Sequence, residues 1–123
     1  MYQQVNDYEG FEYDVRNLLI LWLDNIFGPL YYVTFSIRLS KFRADPPEHL
    51  LIFSPQSFYD ALIQTFGSEL IAESFICTLL TYARNLGMND LPAREEFVRW
   101  FKNNDAEKVR LFLRSLIMLM KRG

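Results

Sequence analysis

Three kinds of side chain in the sequence could do chemistry: one histidine, one cysteine and several groups of carboxylates. His49 follows Asp45 and Glu48, and a histidine beside carboxylates can act as a general base or bind a metal ion. A chain with one histidine cannot build a histidine-rich metal site, and a lone histidine in a loop is more often solvated. We therefore predict neither a catalytic role nor a bound metal for His49.

Cys77 lies between Ile76 and Thr78 in a predicted helix. A nucleophilic cysteine needs a pKa lowered by a nearby cation or a helix N-terminus, and the neighbouring sequence supplies neither. We therefore interpret Cys77 as a buried structural thiol. Because it is the only cysteine, the chain forms no internal disulfide.

The carboxylates form two groups, and each group has two interpretations. Paired acids can bind a divalent cation or divide acid and base roles, whereas acids in the first turn of a helix favour the helix dipole and need no ligand. We prefer the second interpretation, because no glycine-rich phosphate loop, paired-cysteine spacing or serine elbow accompanies them. The sequence thus predicts a non-enzymatic protein without a cofactor or a metal. The acids are Glu9, Glu12 and Asp14 in one group and Asp60, Glu69 and Glu73 in the other.

Basic residues are concentrated at the C-terminal end of the chain. Residues 92–123 carry 8 Lys and Arg against 4 Asp and Glu, whereas residues 1–91 carry 5 against 11. Aromatic residues such as Trp100 lie between these cations, a pattern typical of nucleic-acid binding. The same cations can instead solvate the polar side of amphipathic helices. The candidates for phosphate contact are Arg94, Arg99, Lys102, Lys108, Arg110, Arg114, Lys121 and Arg122.

The spacing of apolar residues predicts an all-α fold. Half of the 123 residues are hydrophobic and 16% are aromatic, which is typical of a globular chain. Apolar residues recur at helical spacing, with complete stripes in residues 11–26 and 109–120. Neither the alternation of a strand nor a hairpin signal is present.

The length fits one domain, so we expect a single compact bundle of five or six helices over residues 1–123. Residues 1–8 are predicted to be flexible. Consecutive prolines in residues 44–54 predict an irregular loop, because proline blocks a continuing helix. Gly67 is predicted to end one helix and Ser68 to cap the next.

Residues 17–37, NLLILWLDNIFGPLYYVTFSI, raise the question of a membrane span. A spanning helix needs about 20 predominantly apolar residues in a row. Asp24 and Asn25 interrupt this stretch, and Gly28 and Pro29 break it. We therefore predict two helices that meet at a tight corner, and no membrane span. The N-terminal sequence lacks a secretory signal, so a cytoplasmic location is expected.

The segment SPQSFYDALIQTFGSELIAESFICTLL resembles a family of small helical archaeal proteins, the Nitrosopumilus-type output domains. Pro55, Phe58, Leu62 and the pair Phe66-Gly67 carry the resemblance, together with the long helix that follows. The similarity extends back to YYVTFSIRLSKF and so covers about residues 31–86. It implies a signalling output or interaction domain without catalytic residues.

Both terminal helices carry more apolar residues than one buried stripe requires, and a contiguous exposed apolar patch usually marks an interface. We therefore predict a non-enzymatic interaction or regulatory module that forms a homodimer or binds another protein. The predicted contacts are Leu21, Trp22, Leu111 and Met118. The alternative is a nucleic-acid-binding accessory protein that uses the basic C-terminal helices. A lipid surface for the basic segment RLFLRSLIMLMKR ranks below dimerisation, because the core needs its apolar stripe.

Overall fold

The computed structural model describes residues 2–122, with side chains described from Tyr8 onward. This part of the chain consists of seven α-helices and contains no strand. The prediction of an all-α fold is confirmed, and the number of helices is one above the predicted range of five or six. The helices are α1 (Tyr2–Phe27), α2 (Tyr31–Leu39), α3 (Pro47–Phe53), α4 (Pro55–Phe66), α5 (Glu69–Asn85), α6 (Arg94–Lys102) and α7 (Ala106–Arg122).

The additional helix is α3, which occupies most of the loop predicted for residues 44–54. Pro46 is extended, with φ −67° and ψ 157°, and Pro47 is the first helical residue. Proline is tolerated in the first turn of a helix because the N–H that it lacks has no intrahelical partner there. The prolines therefore begin a helix here, and the predicted loop is wrong for residues 47–53.

The first helix begins at Tyr2, within the segment predicted to be flexible. Residue 1 and the side chains of residues 2–7 lie outside the described part of the chain. The flexibility of residues 1–8 therefore stays a prediction.

One apolar core contains residues from all seven helices. Phe75 of α5 lies where four helices meet, because its ring centroid is 5.2–5.5 Å from those of Trp22, Phe27, Phe35 and Phe66. Aromatic pairs at such distances add attraction beyond the burial of their area. This cluster fixes α1, α2 and α4 against α5.

Two tight corners set the directions of the helices. Gly67 adopts φ 72° at the end of α4, and Ser68 Oγ accepts a hydrogen bond of 3.2 Å from the Ile71 N–H at the start of α5, as predicted. At the corner between α1 and α2, Gly28 has φ 104° and Leu30 has φ 66°. Leu30 is unusual there, because left-handed backbone is strained for a residue with a side chain.

No single helix within residues 2–122 is long and apolar enough to cross a membrane. Residues 8–27 of α1 are long and apolar enough for a membrane span only when they are combined with α2. The two helices meet at an angle of 110°.

Candidate interaction surface

Helix α7 has a buried apolar stripe and a second, exposed set of apolar residues. The stripe fills the core with Val109, Phe112, Leu113, Leu116 and Ile117. Leu111 and Met118 lie outside it and are 60% and 63% exposed. They are seven positions apart, about two helical turns, so they lie on the same side of α7. Two of the four predicted contacts therefore share one exposed face.

Shallow grooves flank this face on both sides. Leu111 borders a groove of about 450 Å³ that is also lined by Met88, Leu91 and Trp100. The indole N–H of Trp100 is buried without a hydrogen-bond partner. Met118 borders a groove of about 500 Å³ against α1. The α7 face is therefore bordered by two grooves, one at Leu111 and one at Met118. Side chains of a second surface can pack into them.

Leu21 and Trp22, the two predicted contacts on α1, differ in burial. Leu21 is 51% exposed, whereas Trp22 is 1% exposed. The Trp22 Nε1–H donates a hydrogen bond of 2.8 Å to Thr78 Oγ1. A buried indole needs such an acceptor, and Thr78 provides it inside the core. The prediction that Trp22 contacts a partner is therefore wrong.

Leu21 borders neither of the two grooves beside the α7 face. Lys121, near the end of α7, contacts α1 at Asp14, and Leu21 lies seven positions further along α1. That spacing is about two helical turns, or about 10 Å. The structure thus brings Leu111 and Met118 to one face and leaves Leu21 outside the grooves that flank it.

Most of the predicted phosphate-binding cations contact other parts of the chain. Arg110 donates a hydrogen bond of 2.9 Å to the Ile52 carbonyl, and the Arg114 guanidinium lies 4.1 Å from the centroid of the Phe11 ring. The other engaged cations are Arg94 with Ser74, Lys102 with Glu69 and Glu73, Lys108 with Asp105, and Lys121 with Asp14. Within residues 8–122, Arg99 and Arg122 make no such contact. Six of the eight basic residues therefore have a partner within the chain, but only Lys102, Lys108 and Lys121 are paired with carboxylates.

The carboxylates Glu69 and Glu73 bind a cation supplied by the chain itself. Lys102 Nζ lies 2.9 Å from Glu69 Oε2 and 3.7 Å from Glu73 Oε2. The hydrogen bond from Lys102 lowers the pKa of Glu69, and the same hydrogen bond raises the pKa of Lys102. Both shifts favour the charged forms. This cluster is an ion pair that joins α5 to α6.

A second polar cluster joins α1, α2 and α3. Tyr32 OH donates a hydrogen bond of 2.6 Å to Glu48 Oε1, and Glu48 is buried. Burial and the hydrogen bond to Glu48 raise the pKa of Tyr32 from 10.0 to about 12. His49 Nδ1 lies 3.2 Å from Glu12 Oε1, and its ring packs on Phe53. His49 is thus in a helix and half-buried, unlike the solvated loop residue that the sequence predicted.

Glu12 and Glu48 of this cluster line a groove of about 320 Å³ together with Glu9, Tyr13 and Arg16. Among the described residues, no group of three His, Cys, Asp or Glu side chains has the spacing to hold a metal ion. Cys77 is buried, and burial raises the pKa of its thiol, which disfavours the reactive thiolate. The polar clusters instead tie helices together.

Sequence reasoning missed the outward side of α2. Leu30, Val33 and Ile37 are exposed there, and Val33 and Ile37 line a shallow groove together with Ser36 and Asp45. A usable signal is present in the sequence, because residues 25–44 contain three basic residues and no acid. That signal was obscured by the larger basic excess at the C-terminal end.

No family model matches the chain, and neither a curated protein nor a solved structure matches it. The resemblance of residues 31–86 to the archaeal output domains therefore stays a prediction.

Proposed function

We propose that the protein is a non-enzymatic interaction module that self-associates through the α7 face, defined by Leu111 and Met118. The observation that carries this proposal is their exposure, 60% and 63%, on a helix whose other apolar residues already fill the core. Exposed apolar residues that are grouped on one face are typical of interfaces.

The chain as a whole supports this interpretation. Its accessible surface is 7182 Å², close to the roughly 6,900 Å² expected for a compact monomer of 14.6 kDa. The exposed side chains are therefore surplus to a core of ordinary size. A homodimer of standard size buries about 800 Å² on each partner, which is about a ninth of this surface.

The salt bridges of α7 make a twofold contact between two such faces more favourable. Two copies of α7 would bring like charges together, and like charges across an interface repel. Asp105 neutralises Lys108, and Asp14 neutralises Lys121 at the other end of the face. Arg114 and Arg122 remain as unpaired charges, so added salt should screen their repulsion. We therefore expect the dimer to persist or tighten as the salt concentration rises.

Size-exclusion chromatography with light scattering tests this proposal. We expect the molar mass of two chains for the wild type at low and high salt, and that of one chain for a variant with Leu111→Ser and Met118→Ser. Leu70→Ser is the matched control, because Leu70 is also an exposed leucine near one end of a long helix, α5. A wild type that remains monomeric in both buffers overturns the proposal.

The same experiment with a short oligonucleotide addresses the nucleic-acid alternative. Binding driven by phosphate contacts weakens steeply as the salt concentration rises, whereas an apolar dimer does not. A complex that forms at low salt, disappears at high salt and requires Arg99 and Arg122 would replace the present proposal. We expect no such complex, because Lys102, Lys108 and Lys121 are paired with carboxylates and Arg110 is bound to the Ile52 carbonyl.

A further inference from the structure

The outward side of α2 is a second surface with its own chemistry. We call it the α2 face and define it by Leu30, Val33, Ile37, Arg38 and Lys41. Leu30, Val33 and Ile37 are 74%, 53% and 60% exposed. Val33 and Ile37 are four positions apart on α2 and share one side of the helix, and Leu30 is the residue immediately before the helix.

Leu30 stands at the tip of the corner between α1 and α2. Its φ of 66° is left-handed, a backbone conformation that is strained for a leucine. The corner thus holds an apolar side chain in water and strains its backbone to do so. Strain that brings no packing gain within the fold is characteristic of functional positions.

The segment that contains α2 carries three cations and no acid, and the exposed acid Asp45 follows it directly. Residues 25–44 contain Arg38, Lys41 and Arg43 and no Asp or Glu. Arg38 lies beside Phe66, with its guanidinium 5.9 Å from the centroid of the ring. Exposed apolar residues and nearby cations are complementary to a surface with an apolar interior and an anionic outer layer.

The nearest acids do not cancel this positive charge. Glu48 is buried and accepts the hydrogen bond from Tyr32, and Asp45 lies at the edge of the groove beside Val33 and Ile37. On the opposite side, Glu69 is paired with Lys102. The formal net charge of the whole chain is −2, but charges further than about 8 Å from the surface are screened at physiological salt.

We propose that the α2 face docks on an anionic lipid bilayer, with Leu30, Val33 and Ile37 entering the boundary between headgroups and acyl chains. Arg38, Lys41 and Arg43 then contact the anionic headgroups. A bilayer suits this face better than a protein groove, because its apolar side chains project outward from a corner and its three cations outnumber Asp45, the exposed acid beside it. The helix lies in the plane of the bilayer and does not cross it.

Flotation with lipid vesicles tests the proposal. We expect the wild-type protein to float with vesicles of phosphatidylcholine and phosphatidylserine, to float less with phosphatidylcholine alone, and to be released by salt. Leu30→Asn should lower the partition coefficient about ten-fold or more, because the leucine no longer enters the bilayer. This variant should fold, since asparagine tolerates the left-handed conformation. Lys41→Gln combined with Arg43→Gln should lower the partition coefficient about five-fold for each charge removed.

Leu70→Ser is the matched control, because Leu70 is as exposed as Leu30, at 74%, and lies on α5 outside both the α2 face and the α7 face. We expect Ile37→Ser to weaken vesicle binding and Leu70→Ser to leave it unchanged. Four results would overturn the proposal: no flotation of the wild type, equal binding to both kinds of vesicle, unchanged binding of Leu30→Asn, or equal losses in Ile37→Ser and Leu70→Ser. A molar mass that falls in Leu30→Asn without vesicles would assign the α2 face to contact between copies of the chain instead.

Discussion

The hydrogen bond between Tyr32 and Glu48 illustrates what single residues contribute to this fold. Glu48 sits in the first turn of α3, so its carboxylate is also favoured by the helix dipole. Its buried position requires a donor, and Tyr32 supplies one from α2 at 2.6 Å. A buried acceptor without a partner costs about 1–3 kcal/mol. The pair therefore fixes the position of α3 against α2.

The raised pKa of Tyr32 predicts a loss of stability at high pH. The folded protein holds the Tyr32 proton up to a pKa of about 12, whereas the unfolded chain loses it near 10.0. The stabilisation is thus fully present below pH 10 and is lost as the pH rises towards 12. Because Tyr32 is partly exposed, we expect about 1 kcal/mol from this group, less than the full shift implies. Urea unfolding across this pH range measures it.

Tyr32→Phe is the control for this prediction. It should lower the free energy of unfolding at neutral pH, because Glu48 loses its donor, and should show a smaller further loss at alkaline pH. Burial and Glu69 also raise the pKa of Tyr59, but that tyrosine is present in both proteins and cancels in the comparison. Parallel pH curves for wild type and variant would contradict the prediction.

Trp22 shows where residue-level reasoning from the sequence ends. Its position in the apolar stripe of α1 predicts burial, and the structure confirms it. Its prediction as a partner contact followed from the surplus of apolar residues on α1. The acceptor that satisfies its indole, Thr78, lies 56 positions away on α5. Only the tertiary fold could show that the core has both the space and the acceptor for this side chain.

At the scale of elements, replacing glycine by alanine should change the free energy of unfolding in opposite directions in the interior of α1 and at the end of α4. Gly10 lies within α1, and an added Cβ would meet nothing within 4 Å. Gly67 has equally open surroundings but a φ of 72°. We expect Gly10→Ala to raise the free energy of unfolding by about 1 kcal/mol and Gly67→Ala to lower it by about 1 kcal/mol.

These two substitutions control each other, because both add one methyl group in open space and differ in backbone conformation. Urea unfolding at a concentration where the chain is monomeric gives both values. Equal stability of Gly67→Ala and the wild type would contradict a left-handed cap between α4 and α5.

Helix α3 shows which elements the sequence predicts poorly. The corner at Gly67 and Ser68 carries its signal in the residues themselves, so it was predicted. A helix of seven residues is marginal on its own, and its stability comes from contacts with distant parts of the chain. Here Arg110 of α7 binds the Ile52 carbonyl, Tyr32 of α2 binds Glu48, and Glu12 of α1 lies beside His49. No local pattern in residues 44–54 reveals these partners.

At the scale of the whole molecule, hydrophobic periodicity predicts which residues enter the core better than it predicts the surface. The stripe of α7 is buried as predicted, and Leu21, Leu111 and Met118 are exposed as the self-association hypothesis requires. The arrangement of the exposed residues was beyond the sequence. It depends on helix directions, which leave Leu21 outside the grooves beside α7 and leave one side of α2 uncovered.

Self-association through the α7 face also predicts how the stability of the whole molecule depends on concentration. If only the folded chain pairs, association stabilises it by mass action, and the midpoint of thermal unfolding rises with protein concentration. We expect a rise of several degrees over a roughly hundred-fold increase, since about 1 kcal/mol shifts the midpoint of a chain of this size by about 4 °C. Calorimetry across a dilution series measures this dependence.

The variant with Leu111→Ser and Met118→Ser separates pairing from the intrinsic stability of one chain. Both residues are exposed, so their replacement should change the stability of the monomer by less than about 0.5 kcal/mol. At high dilution its midpoint should therefore equal that of the wild type, and only the wild-type midpoint should rise with concentration. If the midpoint of the wild type is the same at both ends of the series, the exposed residues of α7 do not pair two folded chains, and their exposure requires a different partner.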